Sequence, residues 1–217
     1  MYERRMVASM KQFSERGFEV WHFAGQQHCP TGTFDTPGFR ETMADKLKGV
    51  IAVHNILSGR GVPYFVYSDC DVQFFGDFSG PIVEELESSG KDILFQHDGN
   101  GEFCAGFFIS KVNERTLGLF RHALKVIDNH RDDQPAMNWV LHAYPDRLLP
   151  DGVPLPSVGL LSERFWTYGA KYGLWVGNAD FEVPKDILVH HANWTVGIDN
   201  KEKLMDLVKQ KVHELRS

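Results

Sequence analysis

The sequence predicts an α/β domain, and three features carry that expectation. Residues 62–72 form an aromatic and β-branched run ending in two carboxylates one residue apart, Asp69 and Asp71, the pattern of a buried strand that delivers charge to its own C-terminal end. Residues 92–96 and 103–110 repeat the apolar strand pattern further along. Helical periodicities alternate with these strands, the longest running from Thr36-Pro37 through Phe39, Met43, Leu47, Ile51 and Leu57 to a stop at Gly59 and Gly61.

Residues 2–16 place Met6, Met10 and Phe13 on one helical face ended by Gly17, and residues 18–23 alternate as a strand. Residues 24–35 are rich in turn formers and predict a loop. After Asp71, residues 74–78 predict a short strand and turn, 81–87 a short helix, and 97–101 a flexible turn. In the strand at 103–110, Ala105 and Gly106 leave backbone open to close approach by a ligand or another strand. A helix follows over 113–127, with Leu117, Phe120 and Leu124 towards the core. Asp132 and Asp133 precede a helix over 135–143, where they serve either as caps or as site residues. Residues 145–185 combine Pro, Gly and aromatics with weak periodicity, and suit either a site wall or an irregular aromatic subcore. Residues 187–191 predict a strand ending in His190 and His191, and 200–215 a closing helix with Lys201 and Lys203 in its first turn.

At 217 residues the chain suits one well-buried domain, taken as 1–217. No segment approaches the roughly 18 to 20 apolar residues of a membrane span, and no charged-then-apolar leader follows Met1. The expectation is a cytoplasmic protein. Cys29, Cys70 and Cys104 are odd in number and lack metal-site spacing, so free thiols are expected. A net charge of -6 without a Lys/Arg tract argues against a nucleic-acid partner.

Two aspartates crowded at a strand end repel unless a cation lies between them, and oxygen ligands suit Mg²⁺ or Mn²⁺. Such an ion would grip a phosphate-bearing substrate, with a strand-end histidine and Lys201 beside it. No Ser or Cys nucleophile elbow, P-loop or Gly-x-Gly-x-x-Gly is present, which weakens kinase and dinucleotide readings.

Four motifs stand in order: Ser-Asp-Cys-Asp-Val at 68–72, Cys-Ala-Gly-Phe-Phe-Ile at 104–109, Asp-Asp-Gln-Pro-Ala-Met-Asn at 132–138, and His-Ala-Asn-Trp-Thr-Val-Gly-Ile-Asp-Asn-Lys at 191–201. Together they resemble the nucleotide-diphospho-sugar transferase family, which includes plant cell-wall xylosyl- and arabinosyltransferases and, more distantly, glycogenin-like galactosyltransferases. The resemblance spans nearly the whole chain. It implies a glycosyltransferase-A fold, a Rossmann-like single domain with a mixed central sheet flanked by helices, and a metal-dependent transfer of sugar from a nucleotide diphosphate sugar, read as a UDP-sugar, to a hydroxyl of a glycan or other acceptor.

Carried over by position, Asp69 would face the ribose and the metal, Asp71 would be the principal metal ligand and His191 the third, with His190 an adjacent rival. Gly197 and Lys201 would hold the diphosphate, with Asn193 and Lys48 also on the donor side. Ala105 and Gly106 would lie under the donor sugar. Asp133 and Gln134, with Asp132 beside them, would sit at its anomeric carbon. The family's first strand, whose end loop holds base and ribose, is missing or lies before Met1, so the base is left open and the chain reads as a domain of a longer glycan-building protein. Retention of anomeric configuration is implied. Inversion with Asp132, Asp133 or Asp98 as general base, a non-catalytic sugar-nucleotide or glycan-binding module, and a metal-dependent phosphohydrolase stand as alternatives.

Overall fold

The computed structural model describes residue 13 and residues 19–23, 25–26, 28–31, 33, 36–99 and 101–217. In chain order it runs α1 (Phe39–Gly59), β1 (Tyr64–Ser68), β2 (Val72–Phe74), α2 (Ser79–Ser89), β3 (Ile93–His97), β4 (Phe103–Lys111), α3 (Glu114–Val126), a 3-10 turn (Ile127–Asn129), α4 (Asp133–Ala143), β5 (Val158–Leu160), β6 (Phe165–Thr167), α5 (Tyr168–Tyr172), β7 (Val189–His191) and α6 (Ile198–Arg216). The strands make two mixed sheets. The first has the order β1-β4-β3-β5, with β4 antiparallel to both neighbours and β5 parallel to β3. In the second, β2-β7-β6, β7 is antiparallel to β2 and parallel to β6.

Strand β4 reads as a continuous apolar run because both of its faces are covered. Phe108 packs with Leu119, Phe120 and Met137 under α1, α3 and α4, while Phe107 and Ile109 join Ile82 and Leu86 of α2 on the other face. A third cluster, with Trp166, Tyr168 and Trp175 against Leu204 and Val208 of α6, closes the far side of the second sheet. Between Phe95 and Gln96 the partner on β4 jumps from Phe108 to Cys104, so Ala105, Gly106 and Phe107 bulge out of the β3 ladder. Bulges bend a strand and re-aim its side chains, and they gather beside functional sites.

Residues 69–71 are the crossing between the sheets. The Asp69 amide donates to Gly106 O on the bulge at 2.7 Å, and the Ala192 amide, just past β7, donates to Asp71 O at 3.0 Å. Val72 then pairs with His191. The two aspartates are thus fixed by backbone bonds to the bulge of β4 and to the residue just past β7.

Local chemistry sets the helix starts. Asn113 and Thr116 exchange bonds in a capping box for α3, and Asp132 caps α4 by accepting from the Gln134 amide at 3.1 Å. Asp92 ties the back of the first sheet together, accepting from Arg115 at 2.7 Å, Asn113 at 3.0 Å and the Ser157 amide at 2.8 Å.

Several expectations are corrected. The strand ending in Asp69 is half-buried along its length rather than buried, because β1 is an edge of its sheet among the described residues. The strand expected at 18–23 is not formed over the described residues 19–23; there Glu19 accepts two bonds from Arg60 at 2.7 Å and Trp21 is exposed. The helix expected over 2–16 lies outside the described residues apart from Phe13, whose ring meets Phe74 and Phe78. The aromatic stretch at 145–185 contains two three-residue strands and a five-residue helix, too short for periodicity to register; Trp166, Tyr168 and Trp175 are core rather than site wall. Cys70 and Cys104 form no disulfide. No helix among the described residues is long and apolar enough to cross a membrane.

Phe108 stacks on Tyr67 at 5.1 Å and on Phe120 at 5.7 Å at the centre of the largest cluster. Phe108→Ala is expected to lower unfolding free energy by about 3–5 kcal/mol, measured by urea titration.

Candidate functional site

Asp69, Asp71 and His191 converge at the crossing, each offering one ligand atom, with these atoms all within 4.8 Å of one another. Strand alternation decides which histidine joins them. His191 Nε2 stands 3.2 Å from Asp71 Oδ1, while His190 points to the opposite face, where its Nδ1 bonds Gln73 Oε1 at 2.9 Å and its ring lies against Trp166. Burial drives the His190 imidazole down to about 3, so it stays neutral. His191 Nδ1 meets Cys104 Sγ at 3.4 Å. Gly106 makes room for this ring: a Cβ there would lie 2.1 Å from His191 Cε1 and 2.9 Å from Asp69 Oδ2. The backbone opening expected at residues 105 and 106 is therefore filled by a side chain of β7. The neighbouring Ala105 amide donates to Gln134 Oε1 at 3.1 Å.

Two lysines neutralise the pair of aspartates. Lys201, in the first turn of α6, donates to Asp71 Oδ2 at 2.5 Å. Gly197 caps that helix at φ 82, ψ 148, a backbone conformation suited to glycine. Burial opposes ionisation of Asp71, yet Lys201 and His191 hold its carboxyl well below the usual range. Burial likewise opposes charge on His191, and Asp71 outweighs it, keeping the imidazole well above its usual value. Lys46 of α1 reaches Asp69 Oδ1 at 3.2 Å and Asp133 Oδ2 at 2.8 Å, and lies over the Tyr67 ring, whose hydroxyl donates to Asp69 Oδ1 at 2.6 Å. One ammonium shared by two carboxylates leaves one of them short of compensation. Burial raises the Asp133 carboxyl to about 6 against the pull of Lys46.

A second network, centred on Asp98, adjoins this one. Gln134 Nε2 donates to Asp98 Oδ2 at 2.6 Å, and Asn193 Nδ2 to Asp98 Oδ1 at 2.7 Å. Asn193 Oδ1 accepts from the Gly169 amide at 3.2 Å. Gln134 and Asn193 are thereby locked by a buried carboxylate.

The donor set of two carboxylates and an imidazole suits Mn²⁺ or Mg²⁺. The 3.2 Å between His191 and Asp71 is close to the roughly 3 Å edge of an octahedron with bonds of about 2.1 Å. Asp69, Asp71 and His191 fit such an ion.

A family model for nucleotide-diphospho-sugar transferases matches residues 8–205. The chain belongs to the nucleotide-diphospho-sugar transferase family. Among solved structures, a glycosyltransferase involved in the glycosylation of the major capsid of PBCV-1 is similar, with a TM-score of 0.52 and 11% identity over 91% of this chain and 88% of that chain. Mouse xyloside xylosyltransferase 1 in its apo form gives a TM-score of 0.45 and 13% identity over 74% of this chain and 67% of that chain. No curated protein matches the sequence. The fold is the glycosyltransferase-A, Rossmann-like architecture, and the family's general activity is transfer of a sugar from a nucleotide sugar.

Against this family background, the structure brings Asp69, Asp71, His191, Lys201, Gly106 and Asp133 into one cluster, and joins Ala105, Gln134 and Asn193 to Asp98. It leaves two expected residues outside. Lys48 is largely exposed and pairs with Asp45 at 2.8 Å, because it sits off the buried stripe of α1. Asp132 is occupied as the α4 cap and by Arg131 at 3.2 Å. Lys46, Tyr67 and the anchoring role of Asp98 were not anticipated. Helical spacing carried the signal for Lys46, which follows Phe39 and Met43 at seven and three residues, on an otherwise apolar face.

Replacing Lys46 by Met is expected to weaken UDP binding in the presence of Mn²⁺ by about tenfold or more, and Lys48→Met to leave it within about twofold, by calorimetry. Metal ligation needs neutral imidazole, and His191 is held protonated by Asp71. Mn²⁺ affinity should therefore rise with pH through neutrality, by at most about tenfold per unit, and this dependence should flatten in His191→Ala.

Proposed function

We propose that the protein is a Mn²⁺- or Mg²⁺-dependent glycosyltransferase that moves a hexosyl or pentosyl unit from a UDP-sugar to a hydroxyl of a glycan, with retention of anomeric configuration. The observation that carries this reading is the Asp69–Asp71–His191 cluster flanked by Lys201 at a helix N-terminus: carboxylates and an imidazole suited to a divalent cation, beside an ammonium and helix N-terminal amides suited to a diphosphate. Asp69, Asp71 and His191 would hold the ion, which when bound supplies positive charge against the leaving diphosphate.

The chain's own groups do the rest. Lys201 lies on Asp71 and is placed to share its ammonium with phosphate oxygens. The amides at the start of α6, turned by Gly197, face the same anion. Tyr67 and Lys46 orient Asp69, whose free lone pairs would meet the ribose. Gly106 would act through the space it leaves for the His191 ring, and Ala105 through its amide, which holds Gln134. Gln134, fixed by Asp98 and the Ala105 amide, would hold its carbonyl dipole near the sugar as positive charge develops at the anomeric carbon. In the retaining course the departing phosphate takes the acceptor's proton, and no protein base is required.

One observation favours a second reading. Asp133 is buried and its carboxyl is raised to about 6, within the range of a general base at neutral pH, so inversion with Asp133 as base is the competing course. Incubation with UDP-glucose, UDP-galactose and UDP-xylose, Mn²⁺ and a disaccharide acceptor mixture, followed by NMR of the product's anomeric proton, separates them. Retention with an activity loss of about a hundredfold or more in Asp71→Asn is expected. An inverted product whose formation is abolished by Asp133→Asn would assign the second course, and UDP-independent phosphate release from simple phosphoesters would assign hydrolysis.

A further inference from the structure

Two residues past the metal-cluster histidine, the chain turns through Asn193 and Trp194. Trp194 holds φ 52, a left-handed conformation that bulky side chains rarely adopt. It is nevertheless 44% exposed, so core packing does not explain the strain. Its ring is seated rather than loose. A Cβ on Gly169 would lie 2.1 Å from Trp194 Cδ1 and 2.5 Å from Cγ, so the indole rests on bare backbone at the start of α5. Its carbonyl accepts from the Trp175 amide at 2.8 Å.

The bridge between Trp175 and Thr195 sets the direction of its neighbours. Trp175 and Thr195 are buried, while the alternating residues Leu174, Val176, Trp194 and Val196 are exposed, forming an apolar strip beside the site. The strip is continuous with the Asp98 network: Asn193, the residue before Trp194, bonds Asp98, which bonds Gln134. It therefore adjoins the end of the site assigned to the donor's reacting carbon. The charged end, with Asp69, Tyr67 and Lys46, belongs to another part of the cluster. A platform for the nucleobase would be expected beside Asp69 instead.

We infer that Trp194 is the acceptor platform, on which one sugar ring of the acceptor glycan lays its C–H face. This deepens the transferase reading and rests on it for the sugar's role as acceptor. Pyranose rings present apolar faces ringed by hydroxyls, and an exposed indole fixed beside buried polar groups binds that combination through its large apolar face. No other exposed aromatic side chain among the described residues is joined to the Gln134–Asp98–Asn193 network in this way.

The test uses the full chain with Mg²⁺ and UDP, and maltose, cellobiose, lactose and xylobiose as probes. Saturation-transfer NMR reads sugar binding and calorimetry reads UDP binding. At least one disaccharide should receive saturation from the wild type, with the signal falling about fivefold or more in Trp194→Ala and persisting in Trp194→Phe. Gly169→Ala, which keeps the indole but pushes it from its seat, should lose the signal as well. Mg²⁺–UDP affinity should stay within about threefold in every variant, which also shows that each is folded. Binding of a disaccharide undiminished in Trp194→Ala, or of none of the four, overturns the inference. Vesicles of phosphatidylcholine and phosphatidylserine provide a further arm: flotation lost in Trp194→Ala, without sugar binding, would assign the strip to lipid and overturn it too. Trp194-dependent sugar binding without any UDP binding would leave the platform standing and remove the transferase reading.

Discussion

Two carboxylates one residue apart, fixed where the chain passes from one sheet to the other, set the constraint on which this structure depends. Asp71 is almost fully buried, and a buried anion beside a second anion is costly unless opposite charge is held against it. The chain meets that requirement from three directions. Lys46 arrives from α1, His191 from the end of β7, and Lys201 from the first turn of α6. Elements far apart in sequence are thus drawn to one point, and the helices must be placed so that their cations arrive there. Buried ion pairs are poor sources of net stability compared with apolar packing. The buried charge is gathered where Asp69, Asp71 and His191 form a cluster that could hold a metal ion.

The backbone accommodates the cluster at glycines. Gly106 lies in the bulge of β4, where the ladder to β3 skips, and its missing Cβ is the space taken by the His191 ring. Gly197 turns the chain from the second sheet into α6 and so aims both Lys201 and the helix N-terminus at Asp71. Behind them the apolar clusters on both faces of β4 hold the bulge in place. The network of Gln134, Asp98 and Asn193 adds a second layer of fixed geometry.

Much of this was legible in the sequence, for definite physical reasons. Long helices and strands covered on both faces announce themselves by periodicity and by apolar runs, so α1, β3, β4, α3 and α6 were readable. Asp69 and Asp71 stood out as two carboxylates at the end of an apolar strand, and His191 came from the family resemblance; the structure brings the three together. The resemblance offered Lys48 on the donor side, whereas Lys46 lies on the buried stripe of α1 and reaches Asp69 and Asp133. The cap function of Asp132 was one of two alternatives, and the structure shows its carboxylate accepting from the Gln134 amide and from Arg131. The resemblance favoured His191 and left His190 an adjacent rival, and the register of β7 against β2 puts His191 on the face of Asp71. β5, β6 and α5 were not readable, being three to five residues long and stabilised by tertiary packing rather than local pattern.

Calorimetric titration of the full chain with UDP, in Mn²⁺ and again in EDTA, tests most directly whether the buried charge cluster is a metal-dependent diphosphate site. The account predicts UDP binding in Mn²⁺ that vanishes in EDTA and in both Asp71→Ala and His191→Ala. UDP binding of equal strength with and without metal, or unchanged in those variants, would contradict it.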